Sequence, residues 1–528
     1  MSLWKLCRYF QYGNLNILED QGQIMKTSSF ITAAAIISIL YTVFELNAEN
    51  VSEKNLSMQL AENPPMQVFT RKPPEPVIPK KWDIRPGFTL VESLDEFRKL
   101  IKRDNQKIRL KPGIYTVKSF DKPMKFKVRH VSPGGRQFNE QEHFFAVNGS
   151  NNYLDLRGVV IQIPLSLQSK ATQRAHVADC WHINGENNVI EGGYFRDLLD
   201  VPYPKYRIAG NVFEICNDNT TLKDCTFFVR GSIPYGYGDY YGKGRKHWGL
   251  MDKHGVISID HANNTRIIGC KVYLQAFGHC LHLHSVDGVL IKDCFFTGTL
   301  RPTADIFKEV AGRAKEYGFN IMYRGKRPIP KNEVIALTED GIRNYDNVRN
   351  VTIINTTVER MRGCIAMNVS SGDVILENVT VLEAGDQAFD VGCDTTGKIV
   401  MKNCRADLAY NPIFNLTRAK QIPKHAFFEV TILSPASNVK PTPRTSIGRI
   451  CGDSCTFIFH DGTTRPIPEK YFVIYGEGFR KGQALINCTI INETRAKLIL
   501  GPNSRNCTVK SRGPVVDKGK GNKIVRLE

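Results

Sequence analysis

Three imidazoles fall within six residues at His279, His282 and His284, and Asp260 stands 24 residues before the last of them. Imidazoles exchange protons near neutrality, and a carboxylate in contact fixes which ring nitrogen carries the proton. Just upstream, a glycine-rich run carries Tyr235, Tyr237, Tyr240, Tyr241 and Trp248 together with Arg245, Lys246, Lys253 and His254. Cations neutralise carboxylates or sulfates, and flat aromatic rings stack on sugar rings. These types together suit β-elimination: a proton leaves the carbon beside a carboxylate, and the neighbouring oxygen departs. In that scheme His282 or His284 is the base, Tyr240 or Tyr241 the proton donor, and Arg245 or Lys253 the partner of the carboxylate. Asp260 orients an imidazole, and His254 belongs to the same set. Reprotonation on the opposite face would make the set an epimerase.

Residues so far apart meet only if the chain stacks them, and its repeats say how. Segments 254–270, 278–294, 367–379 and 389–404 share one order: an alternating strand, a polar turn, then a short apolar strand ending in Gly, Asp or Asn. Gly269 and Asp293 are 24 residues apart, Asn355 and Asn378 are 23, and Asn378 and Asn403 are 25. A period of this size built from short strands predicts a β-solenoid. Alternation then places Ile257, Ile259, Leu281, Leu283, Ile365, Met367, Phe389 and Val391 inside. It leaves an outward ladder of His182, Glu214, Asp260, His282, His284, Asn368 and Asp390, repeating at about the 4.8 Å spacing of stacked strands. Such a ladder is a floor for a long polymer, with Glu214, Asn368 and Asp390 as substrate contacts. A merely solvated strand face is the alternative.

The regular period is interrupted where 45 residues separate Asp224 from Gly269 and 62 separate Asp293 from Asn355. Both excursions (230–253 and 299–340) leave after an anchor strand and return just before a ladder strand, so they are expected to border the ladder and wall a cleft. The second carries a predicted helix near Ala304–Tyr317 and a basic stretch over 323–327. Residues 425–480 interrupt the coils a third time.

The 528 residues are 42% hydrophobic, enough for a large folded core, and the formal charge of +19 calls for an anionic partner. Nucleic acid is one candidate for that partner, but no zinc-ligand spacing, basic helix or aromatic RNA-binding signature accompanies the charge, and an address outside the cytoplasm argues against it, so none is expected. Lys26 followed by the apolar run Phe30–Phe44 reads as a secretory leader with Met25 as start and a cut after Ala48, leaving no stable membrane association. An uncleaved anchor is the rival, since Leu46 is a poor cleavage residue. Fourteen cysteines would suggest disulfides in an exported chain. However, Cys225, Cys270, Cys294, Cys404 and Cys488 each directly follow an anchor, which predicts a buried column of thiols. Cys451 and Cys455 lie off that column and read as a local disulfide or two free thiols.

A solenoid needs its open end covered. Ser93-Leu94-Asp95-Glu96 has the pattern of a capping box, with Phe97, Leu100 and Ile101 on one helical face, and leads into Lys107–Val117, a strand, a Pro-Gly turn and a second strand. Here, and on to Val430 and again over Leu485–Val509, the chain resembles the right-handed parallel β-helix proteins of the pectate-lyase-like superfamily. That resemblance implies an all-β fold, a right-handed parallel β-helix with an N-terminal capping helix and long loop insertions. The expected organisation is a leader over 1–48, a Pro-rich linker over 49–88, the β-helix over 89–430, a side element over 431–480 and final coils over 481–528. Activity is left open, because the superfamily holds lyases, hydrolases, epimerases and non-enzymatic adhesins.

The expected function is a secreted polysaccharide lyase acting on an acidic, uronate-containing polysaccharide, with a glycoside hydrolase as runner-up and a non-enzymatic binder as a third class. Hydrolysis wants two flanking carboxylates. Glu214, Asp260 and Asp390 offer no close pair, and Gly278-His279-Cys280 only half resembles the Gly-His-Gly of polygalacturonase-type β-helices. No cofactor is predicted. Calcium is the superfamily's usual ion, but the oxygen clusters it prefers are absent from the ladder. Asp260 with His282 and His284 would be a legitimate set for a transition metal.

Overall fold

The computed structural model describes residues 66–121, 124–125, 140–141, 143–175, 179–200, 208–231, 236–242, 253–321, 326–370, 372–393, 397–416, 422–478 and 483–528. The leader at 1–48 and the first part of the linker therefore lie outside the described residues.

Short apolar strands separated by polar turns pair in parallel, coil upon coil, as the period requires. One face is a sheet of 13 strands running from Phe145–Val147 to Val515–Asp517. Its register stacks Phe213, Ile257 and Leu281 in one column and Ile215, Ile259 and Leu283 in the next. Ile365 and Met367 lie beside Phe389 and Val391 in the same way. All of these side chains are fully buried, in one continuous core that extends from Val91 to Val509. Strands such as Thr265–Ile268, Asp287–Lys292, Arg349–Ile354 and Val374–Glu377 stack in the same way around the rest of the coil.

The Gly, Asp and Asn anchors have a backbone cause. Asp224, Gly269, Asp293, Asn355, Asn378 and Asn403 all adopt φ between 50° and 65°, the left-handed region that Gly, Asn and Asp tolerate best. Each turn also stitches to the next: Asn355 Nδ2 donates to Asp293 Oδ1 at 2.9 Å, and Asn378 Nδ2 to Asn355 Oδ1 at 3.1 Å.

The helix Leu94–Leu100 starts on Ser93, whose Oγ accepts from the Glu96 N–H at 3.2 Å. Phe97 and Ile101 are fully buried, and Phe97 packs edge-on against Phe145 and Trp181 at the first ladder strands. The cysteine column forms as expected, with Cys225, Cys270, Cys294, Cys404 and Cys488 free and buried.

Four expectations need correction. Residues 431–480 continue the coils instead of forming a side element, because Phe427–Leu433, Thr456–Gly462 and Val473–Gly476 pair in parallel with the strands before and after them. Cys455 accordingly joins the column, following the left-handed Ser454, and both it and Cys451 are free thiols. The described part of the linker is docked, not loose: Phe69–Thr70 pairs antiparallel with Thr299–Pro302, and Arg71 forms a two-point ion pair with Glu359 at 2.5 and 3.0 Å. In place of one helix over Ala304–Tyr317 there are two single turns, Thr303–Ile306 and Arg313–Glu316, parted by Gly312 at φ 98°. No helix among the described residues is long and apolar enough to cross a membrane.

Candidate functional site

The register sets Asp260 beside His284 and Ser258 beside His282 on adjacent ladder strands. The next strand is Ile342–Tyr345, which places Arg343 beside His282 and Tyr345 beside His284. It is a coil the repeat pattern conceals, because its inward position holds Asn344 where every neighbour has a hydrophobe. The signal was available: Asn355 stands 23 residues before Asn378, so a ladder strand is due 23 before Ile365, at Ile342.

At one end of this floor His284 lies between two carboxylates, Nδ1 at 2.8 Å from Asp260 and Nε2 at 3.3 Å from Asp346. With an acceptor on each nitrogen the ring donates twice, and the hydrogen bond to Asp260 raises its pKa. Burial alone would raise the Asp260 carboxyl, but the bond from His284 and the charge of His261 hold it below the usual range. His261 also reaches Asp260 Oδ1, at 2.7 Å. Asp260, His261 and His284 are the residues that could hold a metal here, one ligand atom from each lying within 4.8 Å of the others. This corrects the set expected from sequence, in which His282 took the place of His261.

At the other end His279 Nδ1 accepts the Asp340 N–H at 3.1 Å, so its proton sits on Nε2, which lies 3.0 Å from Tyr345 Oη and 3.1 Å from Glu339. Burial pushes this imidazole down to about 4. Burial opposes ionisation of Glu339, but His279, Lys253 and Arg362 hold it well below the usual carboxylate range. Lys253 Nζ lies 2.8 Å from it. Arg362 clamps Asp340 with bonds of 2.9 and 2.8 Å and reaches Asp239 at 2.7 Å.

Between the two ends stands His282, partly exposed, 5.4 Å edge-to-face from Tyr345 and 5.8 Å from His279. Burial, then the nearby imidazoles, lower its pKa to about 3, so the ring is neutral. Arg343 lies over the Tyr345 ring at 5.0 Å and pairs only loosely with Asp340, at 3.8 Å.

The two insertions do border the ladder, but as one wall. Both enter at the corner preceding a ladder strand, so they meet: Tyr237 Oη donates to Glu309 at 2.8 Å, Arg301 reaches the Gly236 carbonyl at 2.9 Å, and Arg362 ties Asp239 to the coil. Tyr237 thus serves packing. Tyr240 is partly buried, where desolvation and Glu333 raise its pKa, and it neighbours Arg444 and Asp386, not the imidazoles. His254 is buried against Asp197 at 3.0 Å. Glu214 is bonded by Asn211 at 3.0 Å and Asp390 is buried, so the ladder is covered over much of its length and is not solvated throughout. Tyr235, Arg245, Lys246 and Trp248 lie outside the described residues, as do the side chains of Tyr241 and Asn368.

Parallel coils, a polar ladder on one sheet and loops gathered at its corner define a right-handed parallel β-helix. The family described as "Right handed beta helix region" matches residues 254–423, the part that holds the imidazoles. No curated protein sequence matches. Among solved structures, the chain is similar to the surface adhesin PfbA of Streptococcus pneumoniae (11% identity, 80% of this chain and 84% of that one, TM-score 0.34). It is also similar to a PL6 alginate lyase in complex with a trisaccharide (10%, 84% and 85%, TM-score 0.39). A third is an exopolygalacturonase from Thermotoga maritima (7%, 80% and 80%, TM-score 0.31).

Proposed function

We propose that the chain is a carbohydrate-active β-helix that cleaves an acidic, uronate-containing polysaccharide by β-elimination. The observation that carries this reading is the meeting, on one patch of ladder, of a neutral imidazole (His282), a loosely paired guanidinium (Arg343) and a phenol (Tyr345) whose oxygen is hydrogen-bonded by His279. Arg343 meets the substrate carboxylate. His282 takes the proton from the adjacent carbon; the electron pair of that C–H bond forms the new C=C bond as the bond to the glycosidic oxygen breaks. Tyr345 accepts from His279 and keeps its own proton to give to the departing oxygen. An anionic substrate beside His282 raises the pKa of that ring and strengthens it as a base.

Hydrolysis is the weaker reading. It needs two carboxyl groups free to act, whereas Glu339, Asp340 and Asp260 are each held by cations or imidazoles. We further propose, from the leader-like run between Met25 and Ala48, that the protein acts outside the cytoplasm. Incubation with a panel of uronic and neutral polysaccharides tests the proposal. A product absorbing as an unsaturated uronate supports it, while new reducing ends without that absorbance, or retention without product, would replace it with a hydrolase or a binder.

A further inference from the structure

Three coils before His282, a second cluster lies under the surface. His143 precedes the strand Phe145–Val147, while Asp179 and His182 flank the start of Trp181–Ile183. The two strands are parallel neighbours with Ala146 opposite His182. Relative exposures are 2% for His143, 3% for Asp179 and 7% for His182, and one ligand atom from each lies within 4.8 Å of the others.

The surroundings orient these groups as the shell around a metal does. His143 Nδ1 lies 3.1 Å from the Asp179 carbonyl, which can only accept, so this nitrogen carries the proton and Nε2 the lone pair. Asn211 donates to Asp179 Oδ1 from its backbone at 2.8 Å and from its side chain at 3.2 Å, fixing the carboxyl and leaving Oδ2 for a ligand. The same side chain donates to Glu214 Oε2 at 3.0 Å, and Glu214 stands opposite His182 on the next strand. A second carboxyl is thus at hand. The imidazoles of His143 and His182 are stacked at 4.6 Å and 26°.

Charge is the second argument. Several other deeply buried carboxyls face a basic side chain: Asp155, Glu191, Glu339 and Asp340 each an arginine or lysine, and Asp197 the ring of His254. Among the described residues, no lysine or arginine pairs with Asp179 or Glu214. A buried carboxyl without a counter-ion must stay protonated or meet a cation.

We propose that His143, Asp179 and His182 bind a divalent transition metal such as Zn²⁺, with Glu214 as the nearest further donor. Two imidazoles and a carboxylate suit that class, and oxygen-seeking calcium does not. Metal–ligand bonds of about 2.0–2.2 Å require these ligand atoms, now within 4.8 Å of one another, to draw together and the two stacked rings to turn toward a common point. Being closed to solvent, the site is structural: the cation would tie the first two ladder strands together beneath the capping helix.

The test is metal content of the full-length protein, stripped with chelator and reloaded with Zn²⁺ or, for its visible spectrum, Co²⁺. The expected result is one equivalent bound, a Co²⁺ spectrum with nitrogen ligation, and a higher melting temperature with Zn²⁺. Asp179→Asn, nearly isosteric, should lose at least tenfold in affinity and most of the melting shift even if His143→Ala fails to fold. Metal content below a tenth of an equivalent would overturn the proposal. So would Asp179→Asn binding as the wild type does, or binding that disappears in His284→Ala, which would place the ion at Asp260, His261 and His284. None of these readouts depends on the lyase reading.

Discussion

His282 and His284 lie two residues apart on one strand, yet their surroundings drive them in opposite directions. His282, desolvated beside other imidazoles, is neutral and available as a base; His284, held between Asp260 and Asp346, carries its proton. The sequence admitted either as base, and the mechanism proposed above uses His282. His282→Ala should lower turnover by about 10²–10⁴-fold, the scale of general base catalysis, and leave the melting temperature nearly unchanged because the side chain is not in the core. Turnover at the wild-type level would remove it from the mechanism. His284 gives a pH test. Its folded pKa lies above its unfolded value near 6.5, so its contribution to stability is fully present below about pH 6.5 and is lost as pH rises through the folded pKa. Melting curves of His284→Asn against wild type should therefore differ most near pH 6 and converge toward alkaline pH. A gap that widens with pH would contradict the ion pair.

At the level of the coil, the turn residue controls the stack. Asn378 holds φ at 54° and bonds back to Asn355, so Asn378→Ala should cost about 1–2 kcal/mol, because alanine keeps the Cβ but loses the polar side chain that makes the left-handed region tolerable, whereas Asn378→Gly, with no Cβ, should cost less. Chemical denaturation of the two variants checks the order. Such anchors made the fold readable from sequence: Gly, Asp or Asn at intervals of 23 to 25 residues, each followed by an apolar strand, gave the register, the inward columns and the thiol column. What could not be read were contacts that depend on packing across long separations. Glu339 and Asp340 lie in the second insertion with no repeat to place them, and Tyr237 looks like a ligand-stacking ring until Glu309 and Arg301 are seen around it; Arg343 and Tyr345 differ, since the 23-residue spacing points to their coil and only its inward Asn344 hides it. Alternation tells which residues point away from the core. It cannot tell which of those a loop then covers, and this is why Asp390 and His254 looked exposed in sequence and are buried in the fold.

For the molecule as a whole, the formal charge of +19 is far larger than the fold needs, since most buried cations are already matched by carboxylates. On the reading proposed above, the surplus acts at long range to attract the acidic polysaccharide. At 0.15 M salt, charges separated by more than about 8 Å are largely screened, whereas Arg343 in direct contact with a substrate carboxylate is screened far less. Two parts of the affinity should therefore separate. Binding of an acidic polysaccharide should weaken steeply between about 0.02 and 0.3 M NaCl, and a neutral polysaccharide of equal length should show little salt response. Arg343→Ala should weaken binding at every salt concentration, with the remaining salt dependence almost intact, because one of many charges has been removed. Titrations at four or five salt concentrations decide the matter. Salt-insensitive binding of the acidic polymer would mean that the basic surface serves another partner, and an Arg343→Ala variant that binds as tightly as wild type would remove the guanidinium from the substrate's path.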